Sequence, residues 1–213
     1  QELSIKATPN GQDLVTDVPY DSFGRQVQSW LPVPMGSLNG NIQSGVQAAA
    51  AGYYKRADGS VDPLVYGEKT LENSPLDRLL AQAAPGSDWD GRKMQYRYET
   101  NANGEVYRYV VSSSWSNGAT LSVLGLNGTY GASSLYKNVV TDEDGNVSVE
   151  FKNGQGQTVL VRRNDGAGDM DTYYVYNEYN QLAFVIPPLA VHKGVDLTLL
   201  NELAYEYRYD GRG

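Results

Sequence analysis

Cysteine is absent from the 213 residues, and histidine occurs once, as His192. Without cysteine there is no disulfide framework and no thiolate chemistry, and the redox compartment stays open. A Ser-His-acid triad would have to use His192. That residue sits in LAVHKG, and no Gly-x-Ser-x-Gly elbow occurs anywhere in the chain. A surface or packing role is the expectation for it. No run of about 20 apolar residues exists to span a membrane. Lysine and arginine are few, 17 against 25 acidic residues, and the net charge of −8 disfavours nucleic acid as a partner. A charged-then-apolar leader is missing too. The chain opens on Gln1 rather than Met, so the expectation is a processed or truncated N-terminus, compatible with a removed secretion signal.

What is plentiful is tyrosine, at 17 against 3 Phe and 3 Trp, together with 23 glycines and many Asn and Ser. Tyrosine favours strands, and Gly and Asn supply the positive φ of tight hairpins, so the composition predicts an all-β chain with many turns. One window, NSPLDRLLAQAAPG (Asn73 to Gly86), predicts a helix over about 74–84. Ser74 is a possible cap, Pro75 suits the first turn, and Leu76, Leu79, Leu80 and Ala83 fall at helical spacing. A second short helix is expected over Asp196 to Leu203, and Met35 to Gly52 is expected to be a long irregular segment. Period-two alternation dominates from Met94 onward, in KMQYRYET, GEVYRYVVSSSW, ATLSVLGL, GNVSVEFKN, QTVLVRRND, DTYYVYNEYNQLAFVIPP and LAYEYRYDGRG. NANGE, DEDGN, KNGQGQ and NEYNQ punctuate those runs. The expected organisation is a lead-in segment over 1–93 and a series of β-hairpins over 94–213.

One grammar recurs. Tyr20-Asp21-Ser22-Phe23-Gly24-Arg25 has an echo in Tyr207-Arg208-Tyr209-Asp210-Gly211-Arg212, and looser versions begin at Tyr174, Tyr96 and Thr141. The physical reading makes Asp21 an acceptor for turn amides, Gly24 a left-handed position and Arg25 a partner for a ring or a carboxylate. These residues resemble the YD-repeat (Rhs) family, whose unit reads Tyr-x-Tyr-Asp-x-x-Gly-Arg-Leu. YDSFGRQVQSWLPVP, ENSPLDRLLAQAAPGSDW and YNEYNQLAFVIPP look like the segment that precedes the main repeat array in such proteins of Bacteroidota. The resemblance implies an antiparallel, hairpin-rich sheet with two short helices, part of a β-shell that encloses or presents a C-terminal effector, as in polymorphic toxins. It also implies a non-enzymatic scaffold from a secreted or surface protein. The partners would be the rest of its own parent chain, and a unit cut at its turn would leave a sheet edge open to self-association.

Trp30, Trp89 and Trp115 with the tyrosines could form a sugar-stacking face, which makes a carbohydrate-binding or adhesive β-domain the alternative. Asp142, Asp144 and Asn146 alternate as calcium ligands do, but no helices flank the loop, and an acidic hairpin tip is the expectation. NDGAGDMD, starting at Asn164, is a second acidic loop. Glu99, Glu105, Glu150 and Glu178 are carboxylates in strands or turns, expected to be solvated rather than paired for glycoside hydrolysis. GQGQ and GAGD lack the helix, Lys or Ser/Thr of a phosphate loop. No cofactor is expected.

Overall fold

The computed structural model describes residues 2–7, 11–36, 40–164, 166–192, 198 and 202–212. The chain is mainly β, with antiparallel sheets and two helices, and forms two compact units. Gln1–Tyr96 with Asp142–Asp144 make the first, Arg97–Thr141 with Gly145–Gly213 the second.

In the first unit, β1 (Glu2–Ala7), β2 (Asp13–Val18) and β4 (Val33–Met35) form a small antiparallel sheet in that order. Helix α1 (Val46–Tyr53) lies where an irregular segment was expected. The Ala run carries it, since Ala has the highest helix propensity, and Val46 and Ala50 bury against Val15, Val33 and Val65. The obvious start signal is missing from the sequence, because Gly45 caps nothing and sits at φ 73°. β3 (Gln28–Trp30), β5 (Tyr66–Leu71), β6 (Leu79–Ala83) and the start of β7 (Met94–Thr100) form a second antiparallel set.

The helix expected over 74–84 is not there; Leu79–Ala83 is strand β6. Asp77 at φ 47° cannot continue a helix, and Ser74 caps a turn by accepting the Leu76 amide at 3.2 Å. Leu79, Ala81 and Ala83 are half-buried, while Leu80 and Gln82 face outward, a period of two. Leu76, placed on the expected apolar stripe, is 71% exposed. Four leucines and alanines at helical spacing were therefore a coincidence, overridden by hairpin pairing with β5. The second helix expected over Asp196 to Leu203 lies mostly outside the described residues; α2 spans Pro188–His192, earlier in the chain.

The second unit is built on a meander: β10 (Tyr136–Thr141), β11 (Val147–Lys152), β12 (Thr158–Asn164), β13 (Asp169–Tyr176) and β14 (Leu182–Ile186), with β15 (Tyr205–Glu206) on the edge of β14. Phe151, Leu160, Tyr173, Val175 and Ile186 fill its core. Arg162 on β12 pairs with Asp171 on β13 through two hydrogen bonds of 2.7 and 2.8 Å. A long hairpin, β8 (Tyr107–Ser116) with β9 (Ala119–Thr129), turns at Asn117-Gly118, both at positive φ. It contributes Tyr109 and Leu124 to the same core.

The NANGE turn was expected to close a hairpin, but β8 pairs with β9, not with β7. Asn101 explains the departure. It is 2% exposed, and its side chain accepts the Ser134 and Leu135 amides while donating to the Ala102 and Gly131 carbonyls. A buried amide with all these bonds is a structural clamp on the 130–135 connection.

Candidate functional site

The recurring chemistry of this protein lies in its turns. At Asp21, the backbone N–H donates to the Arg25 carbonyl at 2.9 Å and the carbonyl accepts from the Gly24 amide at 3.0 Å. Its Oδ1 accepts the Phe23 and Arg25 amides, both at 2.9 Å, and its Oδ2 accepts Arg25 Nε at 2.8 Å. Gly24 stands at φ 77°. This is a type I turn closed by a left-handed residue, with the side chain of the first residue capping the amides two and four positions on. These bonds, the Arg25 amide foremost, hold the Asp21 carboxyl below its usual range. Arg25 extends the cluster by donating to Asp77 at 2.7 Å and stacking its guanidinium 5.0 Å from the centre of the Phe23 ring.

The same set of bonds recurs twice with amides in place of charges. Asn153 caps Gln155 and Gln157 through Oδ1 at 3.0 Å each, and its Nδ2 donates to Gln157 Oε1 at 2.8 Å. Asn177 caps Tyr179 at 3.0 Å and Gln181 at 2.9 Å, and its Nδ2 donates to Gln181 Oε1 at 3.0 Å. The left-handed residues are Gly156 at φ 80° and Asn180 at φ 63°. A neutral Asn–Gln pair thus does what Asp21–Arg25 does with charge. Glu72 and Arg78 close a longer version: the Glu72 amide donates to the Arg78 carbonyl at 2.9 Å, and Arg78 Nε donates to both Glu72 oxygens. These guanidinium bonds, seconded by the Ser74 hydroxyl, pull the Glu72 pKa down to about 2.

Three of these turns carry one further feature. The register shifts once just outside each, between Thr70 and Leu71, Phe151 and Lys152, and Val175 and Tyr176. On the returning strand the extra residues are Leu80, Val159 and Ala183. Turn and bulge together form one module, and the bulge adds twist where each hairpin leaves its turn.

Arg212 donates its amide to Asp210 Oδ1 at 2.9 Å, the bond that Phe23 makes with Asp21. Gly211 and Arg212 therefore stand where Ser22 and Phe23 stand, and the residue three after Asp210 is Gly213, outside the described residues. Tyr209 is held by its hydroxyl, which donates to the Leu182 carbonyl, and by paired backbone and side-chain bonds to Thr120. Tyr207 donates its amide to the Ala183 carbonyl, whereas Tyr20 is exposed. The tyrosines thus vary in role while the residues of the capped turn do not.

Trp30 stacks on Tyr66 with centroids 4.8 Å apart, Trp89 ends a 3-10 turn at Ser87–Trp89, and Trp115 sits at the tip of the β8–β9 hairpin. Asp142 accepts the Asp144 amide at 3.0 Å, and Gly145 stands at φ 87°, the marks of the same capped turn. Among the described residues no three His, Cys, Asp or Glu side chains converge on a metal position. Glu105 and Glu150 are paired rather than solvated: Glu105 accepts from Lys137 at 2.6 Å and Glu150 from the Thr158 hydroxyl at 2.7 Å. Glu99 meets Arg97 at 3.2 Å, while Glu178 is exposed. The His192 side chain lies outside the described residues. No described helix is long and apolar enough to cross a membrane.

Sequence reasoning missed Asn153 and Glu72 as members of the repeat because it followed the tyrosine. For Asn153 the available signal was Asp or Asn, then Gly or Asn three residues on, then Arg or Gln; the longer Glu72–Arg78 turn does not carry that pattern. Among known families, residues 1–102 match one described as a domain of unknown function, DUF6443. No curated protein matches the chain.

Proposed function

We propose that this chain is a structural scaffold segment of the YD-repeat (Rhs) type, contributing hairpins to a β-sheet shell that encloses or presents an effector on the same parent protein. The observation that carries the reading is the capped turn at Asp21, repeated at Asn153 and Asn177 with the same bonds and, at Asn153 and Asn177, with the same bulge. Enzymes place their reactive polar groups where a substrate reaches them. Here the polar side chains of the turns are committed to backbone amides and to each other, which is what a repeating sheet needs at every reversal of the chain. The role is non-enzymatic, in a secreted or surface bacterial protein, with the parent chain itself as partner.

Limited proteolysis of the parent protein tests this. The expected result is a C-terminal effector region resistant to protease while the repeat region is intact, and sensitive once the repeat region is deleted. Equal sensitivity in both forms overturns the reading. Light scattering on the 213-residue chain gives a second test: concentration-dependent association through an open sheet edge is expected, and a strict monomer at high concentration contradicts it.

A further inference from the structure

The tip of the β8–β9 hairpin, the Asn177 turn and the Tyr209-Asp210 segment converge on a pocket of about 220 Å³ in the second unit. Trp115 and Tyr179 line it with rings that are 59% and 68% exposed, and Tyr209 adds a third ring. The scaffold itself fixes these positions. Tyr179 and Gln181 are the two residues whose amides Asn177 caps. Tyr209 is tied to Leu182 and Thr120, and a Cβ built at Gly211 would lie 3.9 Å from the Trp115 ring.

We infer that this pocket is a binding site for a single neutral sugar ring, a pyranose stacked on Trp115. Its volume is below the roughly 300–1,000 Å³ of pockets that hold drug-sized ligands, so one ring is the occupant that fits. A pyranose presents an apolar face of C–H groups to an aromatic ring and hydroxyls around its rim. The pocket supplies both kinds of partner. Asp210 Oδ1 is engaged by the Arg212 amide, leaving Oδ2 as an acceptor for a hydroxyl. Gln181 Oε1 is engaged by Asn177, leaving its N–H groups as donors, and the Trp115 indole N–H is bonded to none of the described residues. Among the described residues that line the pocket Asp210 is the one carboxylate and none is cationic, which disfavours an anionic ligand. A simple cation would satisfy the ring and the carboxylate but not the amide and indole donors.

The site does not depend on the scaffold reading, and the proteolysis and association experiments leave it untouched. Saturation-transfer NMR on the 213-residue chain tests it, with methyl α-mannopyranoside, methyl β-glucopyranoside and methyl β-galactopyranoside as probes and tetramethylammonium and glucuronate as contrasts. Transfer is expected to at least one neutral glycoside in the millimolar range. Affinity should fall about tenfold in Trp115→Ala and in Tyr179→Ala, as loss of one aromatic contact implies. Asp210→Asn should weaken it too, and Trp89→Ala should leave it unchanged. Because Tyr179 is so exposed, its variant keeps the test open if Trp115→Ala unfolds. Transfer to none of the three glycosides overturns the inference, as does wild-type affinity in both aromatic variants. Binding of tetramethylammonium or glucuronate in place of the neutral sugars also overturns it.

Discussion

Single polar residues hold this fold at its reversals, and their protonation and truncation have definite consequences. Asn101 is buried with two acceptor and two donor bonds made by one side chain. Asn101→Ala leaves the buried Leu135 amide unpaired and takes the acceptor from the Ser134 amide nearer the surface, and a loss of about 1–3 kcal/mol is expected in urea unfolding. Asn101→Asp keeps the acceptors but loses both donors and buries a charge, so it should not rescue. Glu72 behaves differently because it is a half-buried carboxylate that the Arg78 guanidinium and the Ser74 hydroxyl hold down from the ordinary 4.5 to about 2 in the folded chain. A depressed folded pKa stabilises the protein above the unfolded value and loses that contribution on acidification. The Tm difference between wild type and Glu72→Gln should therefore be full at neutral pH and shrink as pH falls from 4.5 towards 2. A difference constant across that range contradicts the assignment.

At the scale of elements, the 73–86 window separates a strand protein from a helical reading of the same letters. Leu160 on β12 is fully buried, and Leu160→Ala should cost about 2–5 kcal/mol. Leu76→Ala should stay within about 0.5 kcal/mol, because Leu76 sits on a turn and is mostly exposed. Comparable losses at both sites would restore the helix. The meander from β11 to β14 was legible in the sequence, since GNVSVEFKN, QTVLVRRND and DTYYVYNEYNQLAFVIPP alternate with period two and their turn clusters fall between them. Strand β6 was not, because its apolar residues satisfy both periods and only the left-handed Asp77 decides between them. Helix α1 was hidden by a polar surround and a missing cap. Of the candidate site, Asp21, Gly24 and Arg25 were readable as a turn's fixed parts. Asn153 escaped because the residue before it is Lys152, not tyrosine, and the pocket at Trp115 escaped because its lining comes from segments far apart in sequence.

At the scale of the whole molecule, one capped-turn module, with interchangeable acid–Arg and Asn–Gln closures, is the repeated joint of the proposed scaffold. Its parts then belong to the module rather than to their neighbourhood. The first unit uses the charged form at Asp21–Arg25, and the second uses the amide form at Asn153–Gln157 and Asn177–Gln181. The direct test grafts one onto the other: Asn153→Asp, Gly154→Ser, Gln155→Phe and Gln157→Arg place the 21–25 sequence between β11 and β12, with Gly156 unchanged. Urea unfolding of the grafted chain should give a stability within about 1 kcal/mol of wild type, since the new Asp–Arg pair replaces the lost amide pair. Asn153→Ala alone, which removes the cap and leaves the pair unmade, should cost about 1–2 kcal/mol. A graft that unfolds, or that costs more than Asn153→Ala, would contradict the claim that these turns are one interchangeable module.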